Sequence, residues 1–176
     1  MEKQFVALLR GINVGGHRKV PMAALRDLAG ELGLEAPRTY VASGNLVFAG
    51  GDANTALESR FETAIEERFG FRVDVIVRSK AEWTAYRKSN PFVAESEETA
   101  NFVMLCIGKQ PATDAHVEAL RARASEKEKV ERRGDAIWIW FGEGAGRSKI
   151  GSVPGKSVWT SRNWRTVVAI DEMMSD

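Results

Sequence analysis

The chain has 176 residues, 44% of them hydrophobic and 28% charged, enough apolar material for one domain or two small halves and too much for disorder. The formal net charge is +1, so there is no global field to draw in polyanions. The single cysteine, Cys106, excludes an intrachain disulfide framework and favours a reducing compartment.

Phe5–Leu9 reads as a buried strand. Gly11, Gly15 and Gly16 mark a loop, and Pro21 suits a first helical turn. Met22, Leu25, Leu28, Ala29 and Leu32 follow at helical spacing up to Gly33. Thr39–Val41 and Leu46–Ala49 are expected to be extended, with Ser43-Gly44-Asn45 as a turn or bulge between them. Thr55 and Glu58 have capping-box spacing ahead of a helix with Leu57, Phe61 and Ile65 on its apolar stripe and Gly70 at its end. Phe71, Val73, Val75 and Val77 alternate with Arg72, Asp74, Ile76 and Arg78, the pattern of a strand with one apolar face.

A second capping-box pair, Ser79 and Glu82, opens a helix to about Ser89, where Asn90-Pro91 stops it. The stretch with Glu95, Glu97 and Glu98 is expected to be an exposed loop, Phe102–Ile107 a buried strand and Pro111–Ala124 a helix. Val130–Arg133 and Ala136–Phe141 read as a hairpin around Gly134-Asp135. Gly142, Gly144 and Gly146 lead to a short helix near Ser148, and a terminal helix is expected over Arg162–Met174. No apolar run approaches the roughly 20 residues of a membrane helix, so we expect a cytoplasmic protein with no membrane partner. The element order is β-α-β-β-α-β written twice. It predicts an α+β fold with mainly antiparallel sheets in two ferredoxin-like halves, residues 1–79 and 80–176, packed as one compact unit.

The familiar catalytic signatures are missing. Gly155-Lys156-Ser157 lacks the earlier glycine and the leading strand of a phosphate-binding loop. The glycines at 142, 144 and 146 do not make a dinucleotide fingerprint. No cluster has metal-ligand spacing, no nucleophile elbow is present, and no cofactor is expected. Cys106 reads as a packed core thiol and His116 as a solvated residue on a charged helix; His17 reads as a surface residue rather than a general base, since no local carboxylate orients it. Trp138, Trp140, Trp159 and Trp164 would serve either as a base-stacking platform or as packing under a helix.

Charge is segregated. Residues 3–26 carry Lys3, Arg10, Arg18, Lys19 and Arg26 and no carboxylate; residues 144–170 carry Arg147, Lys149, Lys156, Arg162 and Arg165 and no carboxylate. These segments are either solvated faces or two arms of an anion site. In the first, a strand ends at Arg10 and a glycine-rich loop with Asn13 and Lys19 feeds a helix start, where backbone N–H groups favour anions. In the second, Arg147-Ser148-Lys149 precedes a helix start. Thr160 or Ser161 is expected to cap that helix, which puts Arg162 and Asn163 in its first turn, where a cation opposes the helix dipole.

Leu8–Gly16, Ser43-Gly44-Asn45 with Val47-Phe48, Asn90-Pro91-Phe92, Arg147-Ser148-Lys149, and Thr160 with Arg162–Val167 together resemble the domain-of-unknown-function 1697 family, almost from end to end and in the family's order. Ile150 and Ser161 depart from the leucine and alanine common there. The resemblance implies a bacterial-type, cytosolic α+β protein and no particular reaction. The residues themselves point to a protein that binds a small anionic molecule, or to an enzyme acting on a phosphorylated or carboxylated compound. The expected ligand-binding residues are Arg10, Asn13, Lys19, Ser43, Asn45, Arg147, Ser148, Lys149, Arg162 and Asn163. A nucleic-acid-binding module, disfavoured by the net charge, and an interaction module without a small ligand are the alternatives. The sequence leaves open the ligand, the oligomeric state and whether the protein is an enzyme.

Overall fold

The computed structural model describes residues 3–175. The chain divides into two compact units. One runs up to Trp83 and includes the chain from Ala169 onward; the other is Thr84–Val168.

In the first unit β1 (Gln4–Leu9), α1 (Met22–Glu31), β2 (Glu35–Thr39), β3 (Asn45–Ala49), α2 (Asn54–Phe69) and β4 (Val75–Ser79) follow one another. The sheet order is β2-β3-β1-β4 with every pair antiparallel. Alternation along β1 sends Phe5, Ala7 and Leu9 to the helix-covered face, where Leu25 and Leu28 of α1 and Leu57, Phe61 and Ile65 of α2 meet them. Phe48 stacks on Phe5 at 5.7 Å and takes the edge of Phe61 at 5.4 Å. Val6 and Leu8, on the opposite face, are also buried, which is why β1 reads as an unbroken apolar run.

Three expectations for this unit change. The strand expected over Thr39–Val41 is displaced to Glu35–Thr39, with a register shift between Glu35 and Arg38. Pro37 lacks an N–H, and an edge strand tolerates it. The strand expected from Phe71 begins only at Val75, and its second face is not solvated: Ile76 and Arg78 are buried. Glu58 is not a helix cap. Its Oε2 accepts the Val77 N–H at 2.9 Å and lies 3.9 Å from the Arg78 guanidinium, which pins α2 to β4.

The second unit carries the end of α3 (Lys80–Lys88), then α4 (Val93–Glu98), a 3-10 turn at Ala100–Phe102, β5 (Val103–Gly108), α5 (Asp114–Arg121), β6 (Glu128–Arg133), β7 (Ala136–Phe141), a 3-10 turn at Ala145–Arg147, β8 (Trp159–Asn163) and the start of α6 (Trp164–Ser175). Its antiparallel sheet is ordered β6-β7-β5-β8. That repeats the order of the first sheet, so the α+β class and the two similar halves expected from the sequence are present. One difference stands out. The crossover from β3 to β4 carries α2, whereas the crossover from β7 to β8 is a loop with a single 3-10 turn.

The Ser79–Glu82 capping box is present with both of its bonds, the Ser79 N–H to Glu82 Oε2 at 2.6 Å and the Glu82 N–H to Ser79 Oγ at 3.2 Å. The acidic stretch expected to be a loop is helix α4. Asn90 organises its start by accepting the Phe92 N–H at 2.8 Å and donating to Ser96 Oγ at 2.8 Å. Helix α5 is shorter than Pro111–Ala124 because Thr113 caps it in a reciprocal pair with His116. His116 is therefore no free surface group: its Nδ1 accepts the Thr113 N–H at 3.1 Å and its ring meets Trp159 edge-on at 5.4 Å.

Cys106 is buried on β5, opposite Ser161 of β8, with Sγ 3.1 Å from Ser161 Oγ. Burial pushes its thiol up to about 11, and the serine contact opposes this only in part. The folded state then holds the thiol proton more tightly than the unfolded chain. Its contribution to stability is complete below about pH 9 and is lost as pH rises toward 11. Urea denaturation of the parent and of Cys106→Ala at pH values across that window should show an extra alkaline loss in the parent, on the order of 2 kcal/mol. At the helix–sheet contact of the first unit, Glu58→Ala leaves a buried N–H unpaired and removes a carboxylate beside Arg78. Denaturant titration should find a loss of about 3 kcal/mol.

Candidate functional site

The ten residues singled out from the sequence fall in three places. Arg10, Asn13, Lys19 and Ser43 lie in two neighbouring loops of the first unit, and Asn45 is the first residue of β3. The glycine-rich loop is a hairpin, with Val14 and His17 bridged and Gly15 and Gly16 at φ 58° and 77° in the two-residue turn. Only a residue pair free to take positive φ at both positions closes such a turn, so the two glycines serve a chain reversal. Asn13 braces the base of the hairpin: Oδ1 accepts the Val20 N–H at 2.8 Å, and Nδ2 donates to Val20 O at 3.0 Å and Ala42 O at 2.7 Å. Asn45 is buried and donates to Tyr40 O at 2.8 Å and to Ser43 Oγ at 3.2 Å. Arg10 lies 3.9 Å from Asp74, and Lys19 is exposed.

Arg162 and Asn163 end a strand, which corrects their placement inside a helix. Thr160 and Ser161 pair with β5 instead of capping, because strand pairing satisfies their backbone groups, and Asn163 is the cap: its Oδ1 accepts the Thr166 N–H at 3.0 Å. Arg162 therefore precedes helix α6 and does not oppose its dipole. It is 8% exposed and donates to Thr160 Oγ1 at 2.8 Å and Ser161 O at 3.0 Å. Burial lowers its pKa to about 10, which still leaves it cationic at neutral pH. The tryptophans are engaged as packing. Trp138 is buried beside Trp164 at 5.9 Å, and Trp140 donates to Thr99 Oγ1 at 3.3 Å beneath the Lys129 ammonium.

Arg147, Ser148 and Lys149 are brought together. They line a half-open cleft of about 330 Å³ in the second unit with Arg123, Ser125, Glu128 and Glu143. One wall is the turn between α5 and β6; the other is the helix-free crossover after β7. Arg123 ties the walls by donating Nη1 to Ile150 O at 3.0 Å and Ser152 O at 3.1 Å. Glu143 is matched by Lys127 at 2.6 Å. That hydrogen bond and charge hold the Glu143 carboxyl below its ordinary value, with a smaller push from Arg147. Lys149 is exposed and has no ion-pair or hydrogen-bond partner among the described residues.

The two serine hydroxyls of the cleft are held as acceptors. Ser148 Oγ takes the Ile150 N–H at 3.1 Å and Ser125 Oγ takes the Lys127 N–H at 3.3 Å. Each keeps its own hydrogen to donate. Together with two cations from a carboxylate-free segment, this is a set of donors suited to an oxyanion. Arg123, Ser125, Glu128 and Glu143 were not among the residues expected from the sequence. The Ser125-x-x-Glu128 spacing was a usable signal, since the Ser125 N–H does bond Glu128 Oε1 at 2.9 Å, but it opens a strand and not a helix.

Three comparisons bear on these positions. The family model for DUF1697, described as a protein of unknown function, matches residues 1–138, which include Arg123–Glu128 and stop short of Arg147-Ser148-Lys149. Among solved structures the chain is similar to the conserved bacterial protein SP0830 from Streptococcus pneumoniae, at 27% identity over 99% of each chain with a TM-score of 0.80. No curated protein matches.

The crossover leaves β7 at Gly142, where a Cβ would collide with the Lys127 carbonyl oxygen. Gly142→Ala should cost about 1–3 kcal/mol in a thermal or urea melt, as the clash is with backbone and cannot be turned aside by a rotamer.

Proposed function

We propose that this chain, which belongs to the DUF1697 family, binds a small phosphorylated or carboxylated molecule in the cleft of Arg123, Ser125, Arg147, Ser148 and Lys149. The observation that carries the reading is Lys149, a cation without a partner among the described residues that shares one cleft with Arg147 and Arg123. Like charges held near one another lose free energy unless an anion offsets them, and the 144–170 segment supplies no carboxylate of its own. The crossover loop supports the same reading. Where the first unit covers its sheet with α2, the second has a glycine-rich loop that leaves room for a ligand.

Whether the bound compound is transformed depends on groups that the ligand itself must bring near Glu128 or Glu143. We place the protein in the cytoplasm. A reduced, buried Cys106 suits that compartment, and no helix among the described residues is long and apolar enough to cross a membrane.

Inorganic phosphate should raise the melting temperature of the parent more than chloride at equal ionic strength, by mass action on the folded state. Arg147→Ala with Lys149→Ala should remove that difference, and Lys19→Ala should leave it. An equal rise in parent and double variant would mean a general salt effect and would sink the reading. RNA titrated at physiological salt should bind no tighter than the nonspecific range of about 10⁻⁴–10⁻⁶ M.

A further inference from the structure

We infer that the cleft takes a zwitterion: a compound whose phosphate or carboxylate lies among Arg147, Lys149 and the serine hydroxyls and whose ammonium lies on Glu128. This rests on the anion reading above and adds the second pole. Two carboxylates line the cleft, and they are not equivalent. Glu143 is already matched by the Lys127 ammonium at 2.6 Å. Glu128 is half-buried and is held through one oxygen only, its Oε1 accepting the Ser125 N–H at 2.9 Å. Its Oε2 has no donor among the described residues.

A carboxylate oxygen in a partly desolvated cleft needs a donor, and its cheapest partner is a charged one. Arg123 does not supply it, since its hydrogen bonds run through Nη1 to the carbonyls of the crossover loop. The cleft therefore offers several donors facing an anion and one fixed acceptor. A volume of about 330 Å³ sits at the small end of ligand sites and suits a compact molecule with both groups on a short spacer. Glu128 acts here as a specificity-determining residue, and the Ser125 N–H fixes the orientation of its carboxylate.

The test compares three probes by calorimetry on the full chain: inorganic phosphate, methyl phosphate and O-phosphoethanolamine. O-Phosphoethanolamine should bind about tenfold tighter than methyl phosphate, the size expected of one added charge-assisted hydrogen bond. Glu128→Gln keeps an oxygen for the Ser125 N–H. It should bring the two esters to equal affinity while methyl phosphate binding stays as in the parent. Arg147→Ala with Lys149→Ala should weaken all three probes. If the esters bind the parent equally, the second pole is refuted and the anion site stands. If no probe binds, both fall. A preference for O-phosphoethanolamine that survives in Glu128→Gln removes Glu128 from the assignment. The parent comparison decides the zwitterion claim even if the variant does not fold.

Discussion

Strand β5 pairs with β7 on one side and β8 on the other, so the chain leaving β7 must cross over β5 before it can return. The first unit meets the same constraint at β1, between β3 and β4, and crosses with a 16-residue helix. A helix satisfies its own backbone and lays an apolar stripe on the sheet. The second unit crosses with a loop, whose backbone needs other partners. Arg123 supplies two of them at Ile150 and Ser152, and Ile150 and Val153 provide the apolar cover. The cleft exists because this cover is thinner than a helix.

Two arginines of the carboxylate-free segments turn to carbonyl oxygens: Arg18 bonds Gly11 O at 2.9 Å and Arg72 O at 2.5 Å while lying over the Phe71 ring, and Arg162 bonds Ser161 O. A planar guanidinium with several donors can bridge separate carbonyls, which a lysine ammonium on a flexible stem does poorly. The lysines, Lys19 and Lys149, are left toward solvent. Arg18 and Arg162 thus brace the backbone around them, while Lys19 and Lys149 are left exposed.

Regular elements were legible from the residues wherever one local rule decided them. The hairpin of Val130–Arg133 and Ala136–Phe141, its Gly134-Asp135 turn and the Ser79–Glu82 box each appear as expected. Expectations failed where a distant partner outbid the local signal. Glu58 sits four residues inside a helix start yet is spent on a strand, and Asn163, not Thr160 or Ser161, caps α6 because β5 claims the residues before it. The site was half legible. Arg147, Ser148 and Lys149 are contiguous and basic, so composition marked them. Arg123 and Glu128 lie about 20 residues away on a turn of ordinary polarity, and only the tertiary path of the crossover brings them to the same cleft.

The crossover loop also sets a time scale. Between Ser148 and Val158 the backbone has few partners, and two of its carbonyls depend on one arginine. Such a segment opens at a small fraction of the free energy needed to open the sheet, so its amides exchange with solvent long before those of β5. The slow exchange of the sheet gives an internal clock against which to read the exchange of the loop.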